Sequence, residues 1–200
     1  MAAYFSAMLT ASPGAPPAAA SHRARAARAG SPFSSARAAT VLAVEPEPHL
    51  RRLAEAAAAR APVHAEVIDG AADRLPAADA SCDAAVVSLV LCTVPDPAVA
   101  LAEIHRVLRP GGQLRFLEHV RADTPARRRV QRLADATVWP LLNGGCHTGR
   151  DTAGAIERAG FTVTRLDRLT TADTGIPAPA VPQILGTAQR PADPPPASTR

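Results

Sequence analysis

The sequence predicts an α/β fold, a doubly wound and mostly parallel sheet, over residues 41–190. Three observations carry that expectation. Val41–Val44 and Ala84–Leu91 are apolar runs without alternation, as strands buried on both faces require. The segments between such runs carry helical spacing and capping residues. Strand-like and helix-like stretches then alternate down the chain, the pattern of strands joined by crossover helices.

Taken in order, Val41–Val44 is a strand and residues 47–60 a helix, with Pro46 and Pro48 near its first turn. Val63–Ile68 is a second strand, closed by Asp69-Gly70. Ala84–Leu91 is the best central strand. Asp96-Pro97 then provides an N-cap and a first-turn proline. Leu101, Ile104, His105 and Leu108 follow on one helical face. Arg109-Pro-Gly-Gly112 stops that helix before a strand over residues 114–120. A polar helix over residues 124–135 leads to Trp139-Pro140 and the turn Asn143-Gly-Gly145. Thr148 with Asp151 resembles a capping box for a helix ending at Gly160. Residues 161–166 and 183–188 complete the strands.

Residues 1–40 are expected to be disordered. They are built from Ala, Ser, Pro and Arg and hold no acidic residue, a composition poor in the large apolar side chains that offset chain entropy. Such a start imitates an organellar transit peptide, a look that GC-rich low complexity also gives. Residues 191–200 read as a disordered tail.

Composition excludes several chemistries. All 22 basic residues are Arg, so no Lys base, Schiff base or P-loop Lys exists. The single Tyr, Tyr4, without Lys removes the Tyr/Lys pair of short-chain dehydrogenases, and neither GxGxxG nor GxSxG occurs. The three cysteines, Cys82, Cys92 and Cys146, show no CxxC spacing and no metal-ligand spacing. Reduced thiols and a cytoplasmic location are the expectation, and no metal is. No apolar run approaches the ~18 residues of a membrane span. The net charge of +4 and the Arg127-Arg128-Arg129 run read as a solvated helix face, not a nucleic-acid contact. Peripheral contact with a membrane and the oligomeric state stay open.

Glu45 is the first functional candidate. A carboxylate at the carboxyl end of a buried strand stands where open α/β sheets bind ligands, and it can accept two hydrogen bonds from a ribose diol.

Four further pieces give the reading a family. Glu45, Gly70-Ala-Ala-Asp-Arg-Leu-Pro76, Ser81-Cys-Asp83 opening an apolar strand, and His105-Arg-Val-Leu-Arg-Pro-Gly-Gly112 occur in an order that resembles the class I S-adenosylmethionine-dependent methyltransferases (methyltransferase type 11), a Rossmann-like fold. Leu89-Val-Leu-Cys-Thr93, Phe116-Leu-Glu-His-Val120 and Gly144-Gly-Cys-His147 are similar to the methyltransferase-like thiol S-methyltransferase branch. The resemblance implies S-adenosylmethionine as cofactor and a small-molecule methyl acceptor. A thiol is the first expectation, with a quinone-type acceptor or a lipid amine as alternatives. It implies that Glu45 binds the ribose hydroxyls, that Ala71, Ala72 and Asp73 border the adenine, and that Ser88 and Leu89 lie under the methionine part.

Methyl transfer from a sulfonium asks the protein mainly to align a nucleophile and exclude water. A thiol acceptor reacts as its thiolate, which a nearby base favours. His119 and His147 are the candidates for that task, with Glu118 as an orienting partner. Cys92 and Cys146 read as small apolar fillers, and Trp139 as a packing residue or a pocket wall.

One departure stands out. The family's glycine-rich loop, which follows its first strand, has no counterpart upstream of Glu45, where only Gly14 and Gly30 occur. The first strand is therefore expected to be missing or degenerate. The alternative function is that of a non-catalytic relative of the fold, an interaction module or an incomplete gene product.

Overall fold

A computed structural model describes residues 6–11, 40–137, 139–169 and 182–192. Seven strands form one sheet: β1 (Ser6–Ala11), β2 (Thr40–Val44), β3 (Ala65–Ile68), β4 (Cys82–Ser88), β5 (Leu108–His119), β6 (Thr162–Leu169) and β7 (Gln183–Gln189). Their spatial order is β3-β2-β1-β4-β5-β7-β6. Five helices connect them: α1 (Pro48–Ala58), α2 (Pro97–Val107), α3 (Pro125–Asp135), α4 (Trp139–Leu142) and α5 (Thr152–Arg158). The Rossmann-like α/β class expected from the sequence is the one found.

The central place in the sheet is filled. Ser6-Ala-Met-Leu-Thr-Ala11 lies between β2 and β4, antiparallel to both, with Leu9 paired to Leu42 on one side and Ala85 on the other. Residues 1–40 are thus not without structure, although residues 1–5 and 12–39, with Gly14 and Gly30, lie outside the described residues. Leu9 is buried among the core side chains. The sheet is consequently mixed: β2–β3 and β4–β5 are parallel pairs, whereas β5–β7 and β6–β7 are antiparallel like both edges of β1. Because β1 opposes both neighbours, β2 and β4 still run in the same direction. The carboxyl ends of β2, β3, β4 and β5 therefore share one edge of the sheet.

Helix starts follow the sequence signals closely. Asp96 caps α2 through Ala98 N at 2.8 Å, Thr124 caps α3, and Glu47 caps α1 through Leu50 N at 2.6 Å, each before a proline. Leu101 and Ile104 are fully buried, and His105 packs edge-on against Phe161 with ring centroids 5.2 Å apart. The Arg109-Pro-Gly-Gly112 segment is the entry to β5 itself. Gly112 is required there, since a Cβ would stand 2.8 Å from Arg109 O. The Thr148–Asp151 capping box is not formed. Asp151 occupies the N-cap without a side-chain capping bond, and Thr148 instead donates through N and Oγ1 to Asp135 Oδ1.

The apolar run expected as strand to Leu91 leaves the sheet three residues earlier. Leu89 has φ of +56°, and β4 ends at Ser88. The chain turns instead into a loop, residues 89–95, that borders the shared sheet edge.

Candidate functional site

That loop is held from two sides. Glu118, fully buried near the end of β5, accepts the N–H groups of Val90 and Leu91 at Oε1 (2.9 and 3.0 Å) and of Cys92 at Oε2 (3.1 Å). Arg150 donates through Nη1 to the carbonyls of Leu91 and Val94 at 2.6 and 2.7 Å. Burial pushes the Glu118 carboxyl well up, the nearby Cys92 thiol acts in the same direction, and the three N–H donors pull it back. Glu118 therefore does not orient His119. Consecutive strand residues point to opposite faces, so His119 is turned elsewhere.

His119 meets two thiols. Its Nδ1 lies 3.2 Å from Cys146 Sγ and 3.6 Å from Cys92 Sγ, and its Nε2 lies 3.1 Å from Gln183 Nε2. Both cysteines are buried. A hydrogen bond to Cys146, together with burial, lifts the Cys92 thiol to about 12. The same contact holds the Cys146 thiol below its ordinary value, against the effect of its own burial, and the Trp139 indole acts in the same sense. Trp139 Nε1 is itself buried without an oxygen or nitrogen acceptor.

A cavity of about 730 Å³ opens along the edge. Its lining includes Glu45, His49 and Leu50, then Ala71, Ala72, Leu89 and Val90, and also His119, Trp139, Asn143 and Cys146. Its size lies within the ~300–1,000 Å³ range of small-molecule sites. Glu45 is buried at the end of β2, and its Oε1 accepts Glu47 N at 2.9 Å. Arg51 fixes this corner by donating to Glu45 O at 2.9 Å and pairing with Asp69 at 2.7 Å. Backbone N–H groups of His49 and Leu50 hold the exposed Glu47 carboxyl below its ordinary value.

Of the residues singled out from sequence, Glu45, Ala71, Ala72, Leu89 and His119 share the cavity wall. Asp73 is exposed beyond it, and Ser88 lies within β4 behind it. His147 also stands outside the wall, where Nδ1 contacts Gly145 O at 2.8 Å and its N–H bonds Cys92 O at 2.7 Å. Sequence reasoning passed over Cys92 and Cys146 as fillers and did not single out His49. The only signal for the cysteines was their place in family-like stretches, since Cys92 lies 27 residues before His119 and Cys146 lies 27 after it.

The family model for a methyltransferase domain matches residues 26–116. A SAM-dependent methyltransferase structure from Methanosarcina mazei superposes with a TM-score of 0.61 at 22% identity, covering 77% of this chain and 83% of that one, a likeness of fold. Strand order, the acidic strand end on its cavity and the ordered motifs agree with these matches, which support a class I S-adenosylmethionine-dependent methyltransferase.

In sequence the chain is similar to thiol S-methyltransferase TMT1B of Mus musculus, 42% identical over 90 residues, which is 45% of this chain and 37% of that protein. Thiol S-methyltransferase TMT1A of Homo sapiens is 39% identical over 92 residues, 46% of this chain and 38% of that protein. The chain thus matches less than two-fifths of the length of either relative.

Proposed function

We propose that this chain transfers the methyl group of S-adenosylmethionine to the sulfur of a small-molecule thiol bound in the cavity. The observation that carries the reading is the single cavity joining a buried strand-end carboxylate, Glu45, to a wall of His119 and Cys146. Likeness to the two thiol S-methyltransferases supports the choice of acceptor.

The residues present fit the cofactor at one end. Glu45 is a buried acceptor for a ribose diol, fixed by Glu47 N and Arg51. Ala71 and Ala72 offer a small, flat border for an adenine, and Val44, Leu50 and Val90 an apolar wall. The glycine loop has no place in this arrangement. Since β1 runs antiparallel, its carboxyl end at Ala11 lies at the sheet edge away from the cavity.

The cofactor supplies an electrophilic methyl on a sulfonium whose leaving group is neutral. The protein's share is to hold the acceptor in line, exclude water and favour the thiolate. Leu89, Val90 and Trp139 keep the cavity apolar, and His119 accepts the thiol proton while Gln183 holds its other ring nitrogen. His147 is assigned a supporting role in the 144–147 turn.

The test is calorimetric titration with S-adenosylhomocysteine, followed by transfer of labelled methyl to a panel of alkyl thiols and their matching alcohols. Saturable cofactor binding with methylation of thiols alone is the expected result. Binding absent at high micromolar concentration would remove the reading, and methylation of alcohols as readily as thiols would remove the acceptor assignment.

A further inference from the structure

Cys92, His119 and Cys146 come from three separate segments: the loop after β4, the end of β5 and the turn after α4. Their ligating atoms all lie within 4.8 Å of one another. We propose that these three side chains form a binding site for a thiophilic divalent cation of the zinc type, with its fourth coordination position open to the cavity.

The geometry is what such an ion needs. Bonds of about 2.3 Å to sulfur and 2.0–2.1 Å to nitrogen at tetrahedral angles put a sulfur and a nitrogen ligand roughly 3.5 Å apart. The two imidazole–sulfur separations, 3.2 and 3.6 Å, bracket that value. Two thiolates and a neutral imidazole cancel the charge of a dication, so the filled site is neutral where Cys92 and Cys146 are buried. Of the charged groups beside the cluster, Glu118 and Arg150 are themselves opposite in sign and both engaged by the 89–95 loop. Ligation through Nδ1 leaves the proton on Nε2. Gln183 stands there, and with its amide turned it accepts that proton through Oε1, the outer partner that a ligating imidazole usually has. Three protein ligands with an open fourth position distinguish reactive sites from closed structural ones. His119 and Cys146 border the cavity, so the open position faces it.

The fourth ligand follows if the methyl-transfer reading holds, and this part rests on it. An acceptor thiol entering the open position loses its proton to solvent and binds as thiolate, with His119 acting as ligand in place of base. A sulfur lone pair then forms the new carbon–sulfur bond as the sulfonium carbon–sulfur bond breaks and the neutral thioether leaves.

The experiment is titration of the full chain, stripped of metal and kept reduced with a phosphine, with Co²⁺ as the probe. About one equivalent should bind with tetrahedral bands and a thiolate-to-cobalt charge-transfer band, and Zn²⁺ should displace it. Binding should weaken by at least about 100-fold in the Cys92→Ser/Cys146→Ser double variant. If that variant does not fold, the wild-type charge-transfer band decides alone. Absence of the band, cobalt spectra of octahedral type, or formation of a Cys92–Cys146 disulfide in a chain that takes up no cobalt would each overturn the proposal. The same samples separate the two readings. Cobalt binding without S-adenosylhomocysteine binding keeps the cation and removes methyl transfer. Undiminished methylation by the stripped chain, with no cobalt band, keeps methyl transfer and removes the cation.

Discussion

Glu45 and Glu118 are both buried carboxylates at the carboxyl ends of strands on the same sheet edge, yet they do different work. Glu118 is consumed by the backbone, taking three N–H groups of the loop that follows the neighbouring strand. Glu45 borders the cavity, and its Oε1 accepts the local N–H of Glu47. A carboxylate surrounded by amides of its own chain shapes the site, whereas one on the cavity wall faces the space a ligand would fill. Strand position alone does not tell the two apart; the neighbouring loop does.

Removing each group should separate their roles. Glu118→Ala strands three buried N–H donors and should destabilise the fold by about 3–5 kcal/mol, seen as a Tm roughly 10 °C lower. Glu118→Gln should fall between, since one oxygen can still serve Val90 and Leu91. A wild-type melt for the Ala variant would show that the loop does not depend on this carboxylate. Glu45→Ala should spare the melt by comparison but weaken S-adenosylhomocysteine binding by about 1–3 kcal/mol, roughly 5- to 150-fold. Unchanged affinity would place the ribose elsewhere and collapse the contrast.

Glu103 on α2 gives the smallest effect and a baseline for both. It accepts Arg106 Nε at 2.8 Å and Leu75 N at 2.9 Å, and the Arg106 guanidinium holds its carboxyl below the ordinary 4.5. A folded-state value below the unfolded one contributes stability above about pH 4.5, and the contribution is lost as pH falls through the folded value. Glu103→Gln should therefore cost about 1 kcal/mol at neutral pH. Urea midpoints of the two proteins should converge in acid; a gap that persists near pH 3 would assign the effect to packing instead.

Much of the fold was legible because its signals are local. Apolar runs marked β2 and β4, and Asp96-Pro97 marked a helix start whose cap forms as expected. β1 escaped because six residues of modest apolarity, set among Ala, Arg, Ser and Pro, acquire strand character only from partners on both sides. The Glu45 end of the site was readable for the same local reason. The sulfur end was not, since its three members converge only through the crossover of β4 to β5 and the return from α4. Glu118 and His119 were paired wrongly because adjacency in sequence means opposition in a strand.

β1 also acts as a spacer. Among the described strands it alone bridges the β3–β2 pair and the β4-β5-β7-β6 slab. Glu45 belongs to the first slab and the cysteine–histidine wall to the second. Three inter-strand steps of about 4.7–4.9 Å each, two of them on either side of β1, separate the strand that leads to Glu45 from the strand that ends at His119. A strand in that place fixes the gauge whichever way it runs, because ladder spacing does not depend on direction. The reach from Glu45 to the sulfur wall follows the width of the sheet, to which the six residues of β1 contribute.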